Sequence, residues 1–243
     1  MSSINQIDIL AVGVHPDDVE LSCSGTILKS IAEGKKVALL DLTEGELGSR
    51  GTVQTRYQEA KHSGDILGIV DRVNINIGDG TFENNHENRL KVIEQIRFFK
   101  PSVVLINAPD DRHPDHGRAA KLVADACFYS GLVRIETNLN GNEQEEHRPK
   151  SVYYYIQDRY IAPDFVVDVS DFVDKKMESI QAYSTQFYNP DVDNGPATPI
   201  SGKDFLDFLL ARMREMGRPA GYKYAEGFVS QRTIGVKSLF DLD

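Results

Sequence analysis

No stretch of this chain is apolar for long enough to cross a bilayer, so no membrane-spanning helix and no membrane partner is expected. Basic residues are in deficit: Lys and Arg total 27 against 37 Asp and Glu, a formal net charge of -10. Phosphate-backbone binding draws its affinity from lysine and arginine, so no nucleic-acid partner is expected. Cysteine occurs twice, at Cys23 and Cys127, too rarely for a disulfide framework. The opening residues, Met1-Ser2-Ser3-Ile4-Asn5-Gln6, show no basic segment followed by an apolar one, so a signal peptide is not expected. Low-complexity tracts are absent. So is the G-x-G-x-x-G fingerprint of dinucleotide sites: the first strand–helix turn, Gly13-Val14-His15-Pro16-Asp17-Asp18, puts acids where a phosphate would sit. What is left is an ordinary globular composition, 40% hydrophobic and 26% charged, with a length that fits one α/β domain. The expectation is a soluble, cytoplasmic enzyme.

Two segments stand out. Ile9-Leu10-Ala11-Val12-Gly13-Val14 is an apolar run that ends in His15-Pro16-Asp17-Asp18, and Val103-Val104-Leu105-Ile106 leads through a short loop to His113-Pro114-Asp115-His116. Each reads as a buried strand, a turn, and a helix that starts at the proline. After the first unit, Val19, Cys23, Ile27 and Ile31 recur on one helical face and Gly34 is placed to stop it. A strand at 37–42 follows, then the turn Thr43-Glu44-Gly45-Glu46-Leu47-Gly48, then a helix at 53–67 carrying Arg56. A short strand at 73–77 ends in Gly78-Asp79-Gly80, and Leu90, Ile93 and Ile96 mark a helix that Lys100-Pro101 ends.

This β-α pattern, repeated four times, predicts a Rossmann-like three-layer α/β fold with a mostly parallel sheet and right-handed crossovers. Beyond it, 136–150 is expected to be an exposed loop and 151–156 and 164–169 to be strands. A helix carries Val173, Met177, Ile180 and Phe187, and a long loop spans 188–201, a length that is more often functional or mobile than inert. A last helix is marked by Phe205, Leu209, Met213 and Met216, and 221–229 adds a final strand. Residues 1–243 form one domain, with 1–130 as the β-α core and 131–243 as additions to it.

Ligands of such sheets bind outside the carboxyl ends of the strands. That is where the polar residues gather: His15, Asp17 and Asp18; Glu44 and Glu46; Asp79; His113, Asp115 and His116. His15 and Asp18 can converge across a three-residue turn, and His116 would complete a set of two imidazoles and a carboxylate with a position left for water. Such a set suits catalytic zinc, and it also suits ferrous iron, which keeps an iron-dependent oxygenase as a remote alternative. Asp17 is then a candidate general base. His113 is a candidate donor to an oxyanion, with Asp115 holding its ring and favouring the cation. Helix dipoles explain Asp17, Asp18 and Asp115 in part, but not the histidines before both prolines. If the substrate is anionic, local arginines must bind it in so acidic a chain; Arg56 leads, with Arg50 and Arg112 near motif residues.

These motifs, His15-Pro16-Asp17-Asp18, Thr43-Glu44-Gly45-Glu46-Leu47-Gly48 and His113-Pro114-Asp115-His116, resemble in order and spacing those of the LmbE-like (PIG-L) family of zinc-dependent de-N-acetylases. The resemblance covers residues 7–130. The stretches Gly51-Thr52-Val53-Gln54-Thr55-Arg56, Asp111-Arg112-His113-Pro114-Asp115-His116 and Lys223-Tyr224-Ala225-Glu226-Gly227-Phe228 look like the group within it that deacetylates N-acetylglucosaminyl malate in bacillithiol biosynthesis. The resemblance implies an LmbE-like fold and a hydrolase that uses metal-activated water. Another N-acetylglucosamine derivative or a chitooligosaccharide is the alternative substrate. It implies His15, Asp18 and His116 on Zn2+ (Fe2+ being the other ion this donor set suits), Asp17 as general base, and His113 backed by Asp115 at the tetrahedral intermediate. It implies sugar contacts for Glu46, Arg56 and Asp79, and a homo-oligomer. Some members place a tyrosine two residues before the first histidine of the second unit; here that position is Asp111, so no tyrosine serves from there.

Overall fold

The computed structural model describes residues 6–191 and 195–241. Five apolar residues make the central strand β1 (Ile9–Gly13), buried on both faces as a parallel strand between two neighbours should be. It pairs with β2 (Val37–Asp41) on one side and β4 (Val103–Ile106) on the other, and β3 (Asp71–Asn74) lies outside β2. A two-stranded hairpin, β5 (Asn138–Leu139) with β6 (Asn142–Glu143), stands apart. The main sheet continues through β7 (Ser151–Tyr155) and ends at β8 (Phe165–Asp168), with β9 (Ala225–Ser230) inserted antiparallel between them. The order is therefore β3-β2-β1-β4-β7-β9-β8, in which β9 alone runs against the other strands.

Helices cover both faces. Leu10, Val12 and Val14 point toward α3 (His86–Phe99) and α4 (Pro114–Tyr129), where they pack with Val92, Ile96, Ala119 and Val123. Ala11, with Leu39 and Leu105, points the other way, onto Val19, Cys23 and Ile27 of α1 (Asp18–Ala32) and Leu67 of α2 (Val53–Leu67). Alternation of side chains along a strand produces this division. Two further helices, α5 (Val173–Gln181) and α6 (Lys203–Gly217), join the α1–α2 side through Ile180, Tyr183 and Leu209. No helix among the described residues is long and apolar enough to cross a membrane.

The chain runs from β1 outward to β3, then returns to place β4 on the other flank of β1. The crevice between β1 and β4 is thus the topological switch point, where open α/β sheets take their ligands. Both His-Pro-Asp units follow these two strands.

The structure departs from the expected elements at four places. The first helix starts at Asp18, not at Pro16, because Asp17 has φ 136° and cannot be helical. The third strand is Asp71–Asn74 and not 73–77; Asn76 at φ 39° breaks the ladder, although Ile75 and Ile77 still donate to Asp41 and Leu42 carbonyls. The loop at 136–150 holds the small hairpin, whose turn is Asn140-Gly141 with both φ positive, the backbone such a tight turn needs. The helix carrying Val173 ends at Gln181, with Phe187 in the turns that follow. Of the expected loop 188–201, residues 192–194 lie outside the described residues, as do residues 1–5 of the segment read for a signal peptide.

Candidate metal centre

Asp18 is the hub of the crevice. Its Oδ2 accepts the backbone N–H groups of Val14 and His15 and the Asn107 amide, each at 3.0 Å, and its Oδ1 accepts from Gln157 at 2.8 Å. Two imidazoles meet the same carboxylate: His15 Nδ1 is 3.6 Å from Oδ2 and His116 Nε2 is 3.2 Å from Oδ1. The far nitrogen of each ring is taken by another acid. His15 Nε2 lies 3.1 Å from Asp79, and His116 Nδ1 lies 2.6 Å from Asp111. Asp111 is itself fixed, because its Oδ1 accepts the N–H groups of Arg112, Asp158 and Arg159.

Charge in the crevice is strongly organised. Burial alone would depress the His15 imidazole, but the hydrogen bonds and charges of Asp18 and Asp79 outweigh it and raise its pKa to about 10. Burial likewise works against a charged His116, yet Asp18 and Asp111 raise it to about 9. Asp18, though buried, is held well below the usual carboxylate range by His116 and His15. The acids that raise both rings make the crevice a place where positive charge is favoured, and a bound cation would take the place of the ring protons.

This donor set fits a divalent metal ion. His116 Nε2 and His15 Nδ1 stand 3.2 and 3.6 Å from opposite oxygens of Asp18, pairwise spacings near the about 3.3 Å between neighbouring ligands of a tetrahedral ion with bonds of about 2.0–2.1 Å. Carboxylates that orient the far nitrogens are the usual second layer around metal-binding histidines. Among the described residues, the groups with ligand atoms all within 4.8 Å of one another are His15, His113 and His116, and His15, Asp79 and Asp115. The first grouping is disfavoured because His113 Nδ1 accepts the Asp115 backbone N–H at 3.3 Å, which leaves the proton of the neutral ring on Nε2. In the second, the acids are already engaged: Asp79 with His15 and the Leu47 N–H, Asp115 with the Gly80 N–H and Arg118.

Asp17 sits beside the hub in a backbone conformation that costs a non-glycine residue on the order of 1–3 kcal/mol. Its carboxyl is buried, and that burial raises its pKa to about 7 against the pull of Arg56, whose Nη1 is 3.7 Å away. Arg56 projects from α2 under the Thr43–Gly48 turn. A Cβ on Gly45 would stand 2.9 Å from Arg56 Nη1 and one on Gly48 3.2 Å from Nη2, so these glycines allow the close approach.

A cavity of about 230 Å3 opens over the centre. It is lined by Asp17, Asp18, His15, His113 and His116, by Arg56, Asp79 and Arg112, and by the apolar side chains of Leu21, Ile200, Phe205, Phe208 and Leu209.

Several expectations change. Asp115 does not hold the His113 ring: its carboxylate turns to Gly80 and Arg118, and only its backbone N–H meets His113, which caps α4. Burial and the neighbouring His15 and His116 then lower the His113 pKa, so the neutral ring is favoured rather than the cation. Glu46 does not line the cavity; its two oxygens accept the backbone N–H groups of Asp79 and Glu44 and tie the 43–48 turn to the 78–80 turn. Asp79 lies at the cavity, but its oxygens serve His15 and Leu47. Arg50 is a buried strap that donates to the Thr185 and Pro196 carbonyls and does not reach the cavity. Sequence reasoning missed Asn107, Asp111 and Gln157. Asn107 and Gln157 follow the carboxyl ends of β4 and β7, so the rule that found the other residues could have found them.

The PIG-L family, described as GlcNAc-PI de-N-acetylase, matches residues 10–127. The chain is 27% identical over 233 residues to the diacetylchitobiose deacetylase of Thermococcus kodakarensis, covering 90% of this chain and 81% of that protein. It is 29% identical over 202 residues to a Bacillus anthracis protein described as a probable N-acetyl-alpha-D-glucosaminyl L-malate deacetylase 2, with 75% and 83% covered. The crystal structure of a conserved protein from Thermus thermophilus is similar with a TM-score of 0.84 at 34% identity, covering 96% of this chain and 98% of that one.

Proposed function

This chain belongs to the PIG-L family of de-N-acetylases, and we propose that it hydrolyses the N-acetyl group of an N-acetylglucosamine conjugate at the crevice between β1 and β4. The observation that carries the reading is the convergence of His15 and His116 on Asp18, with the buried carboxyl of Asp17 beside them and a cavity above. His15, Asp18 and His116 would hold Zn2+, or Fe2+, with Asp79 and Asp111 orienting the rings. Such an ion supplies Lewis acidity and lowers the pKa of water toward about 7.

The chain's own residues handle the protons. Asp17, titrating near neutrality, takes a proton from the attacking water on a carboxylate oxygen and returns it to the amine nitrogen as the C–N bond breaks. The products are acetate and the free amine. His113, neutral and with its proton on Nε2, offers a donor to the amide oxygen as negative charge develops there. Hydrolytic deacetylation in the relatives leaves the iron-oxygenase alternative without support.

Acetate release from N-acetylglucosaminyl malate, diacetylchitobiose and N-acetylglucosamine, by wild type and Asp17→Asn, tests the reading. Asp17→Asn should lower kcat by about 10²–10⁴-fold with zinc still bound. Equal rates would remove Asp17 from the mechanism.

The finer assignment is N-acetylglucosaminyl malate. It is supported by the likeness to the Bacillus anthracis protein and by Arg112, which lines the cavity. Arg112 Nε meets Asp158 at 3.2 Å, while its terminal nitrogens have no hydrogen-bond partner among the described residues and are open to a carboxylate. A second reading, a chitooligosaccharide, draws on the Thermococcus relative and on Ile200, Phe205 and Phe208, against which a neutral sugar ring could pack. The malate assignment expects kcat/KM to fall by about tenfold or more, the worth of one charge-assisted contact, when malate is absent from the substrate, and Arg112→Met to erase that preference. A preference for diacetylchitobiose that survives Arg112→Met favours the second.

A further inference from the structure

The helix that carries Asp18 is broken. Cys23, in the middle of α1, has φ −140° and ψ 16°, so Asp18–Ser22 and Ser24–Ala32 are two helical pieces meeting at a kink. A break in a buried helix leaves amides at the start of one piece and carbonyls at the end of the other, and these need partners. Here they come from the far end of the sequence. Glu226 on β9 accepts the N–H of Gly25 at 2.9 Å through Oε1 and that of Thr26 at 2.7 Å through Oε2. Lys176 on α5 donates to the Leu21 carbonyl at 2.9 Å, and to Glu226 Oε1 at 2.7 Å. Ser24 Oγ donates to the Glu20 carbonyl at 2.7 Å.

The signs of charge match the break. A carboxylate lies at the new helix N-terminus and an ammonium at the end of the preceding piece, as the backbone dipoles favour. Both side chains are about 1% exposed, so neither charge has water to turn to. A Cβ on Gly25 would stand 2.9 Å from Glu226 Oε1 and from Val169, which leaves room only for glycine where the carboxylate approaches.

We propose that Glu226 and Lys176 are positioning residues that splint the broken α1 and thereby set the direction of its first piece, the one presenting Asp17 and Asp18 to the crevice. The proposal rests on the roles given to those two aspartates above. A straight helix would extend the axis of Ser24–Ala32 through residues 18–22. The kink gives the first piece an axis of its own, and the ion pair joins the two pieces where they part. The pair does not line the cavity, so it acts only through the helix.

Glu226→Gln, which leaves the Lys176 ammonium without its carboxylate, and the double variant Lys176→Met/Glu226→Gln, which leaves no buried charge unpaired, test this. Ile96→Ala, in the opposite helix layer, serves as a control for general loss of stability. Amide hydrogen exchange reads the position of Asp18 without any metal, since the Val14 and His15 N–H groups donate to its carboxylate. Exchange at these two amides should speed up by about tenfold or more in both variants and stay within about twofold in the control at matched distance below Tm. Zinc affinity, from competition with a chromogenic chelator, should fall about 10–100-fold, the range seen when groups behind metal ligands are lost. Unchanged protection at Val14 and His15 in a folded Glu226→Gln chain overturns the splint. A wild-type chain that binds no zinc would instead count against the proposed centre, and the exchange result would still judge the splint.

Discussion

Two adjacent carboxyl groups in this chain have their pKa values driven in opposite directions. Burial raises Asp17 to about 7, whereas for Asp18 the neighbouring His116 and His15 overcome burial and hold the pKa well below the usual range. The backbone makes the difference, since φ 136° at Asp17 turns one side chain away from the rings that the other meets. A base must be deprotonated to work, so activity should rise with pH through the pKa of Asp17. The guanidinium of Arg56 lowers that pKa. Arg56→Met should therefore move the acid limb of kcat/KM to higher pH in the metal-loaded enzyme, and a limb that stays put or moves down would show that Arg56 does not act on Asp17. Asp111→Asn tests the other side of the centre. It should cost about 10–100-fold in zinc affinity by loosening the His116 ring, measured by chelator competition. The histidines and Asp17–Asp18 were legible in the sequence because strand ends and proline turns announce them. The partner of Asp115 was not, because an acid at the second helical position looks the same in sequence whether it faces a ring or a neighbouring loop. The Gly80 amide that Asp115 serves is brought near only by the fold.

At the scale of elements, the parts that sequence pattern located are those governed by local periodicity. The α3 helix at His86–Phe99, marked by Leu90, Ile93 and Ile96, and the β4 strand at Val103–Ile106 lie where the apolar residues put them. The parts it did not locate are set by single residues in unusual backbone regions: Asp17 delays α1, Asn76 ends the third strand, and Asn140-Gly141 turns a hairpin. The kink at Cys23 was hidden for a related reason, since Val19, Cys23, Ile27 and Ile31 keep one apolar face whether or not the helix is continuous. The strain at Asp17 makes a prediction separable from its chemistry. Asp17→Ala and Asp17→Gly both remove the carboxyl, but only glycine takes φ 136° without a Cβ penalty. Set against the entropy glycine loses on folding, the net should leave Asp17→Gly more stable than Asp17→Ala by about 1 kcal/mol. Urea unfolding of the two variants checks this, and equal midpoints would mean that the strain is no larger than the entropy glycine loses.

The molecule as a whole closes a loop between its ends. Its sheet is begun by the β-α repeat, but β9, contributed by the C-terminal segment, fills the space between β7 and β8 and brings Glu226 to α1. The division into a core of 1–130 and later additions therefore describes the order of the sequence better than the sharing of contacts, because Phe228 packs in the same cluster as Val19, Leu39 and Leu105. Sequence could suggest that 221–229 was a strand, but its neighbours are fixed by register across the sheet, which no local pattern encodes. This gives the two ends of the C-terminal segment different weights. Residues 231–241 are exposed, with Leu239 and Phe240 at 81% and 99% accessibility, so a chain ending at Ser230 loses little buried surface. A chain ending at Lys223 loses all of β9, leaves the edges of β7 and β8 unpaired in the middle of the sheet, and strips the Gly25 and Thr26 amides of their buried acceptor. Thermal melts followed by circular dichroism should show the longer chain with a Tm within a few degrees of wild type and the shorter one without a cooperative transition. A cooperative melt from the shorter chain would mean that the N-terminal β-α repeat folds as an independent unit, and that β9 is an accessory to the crevice, not part of what builds it.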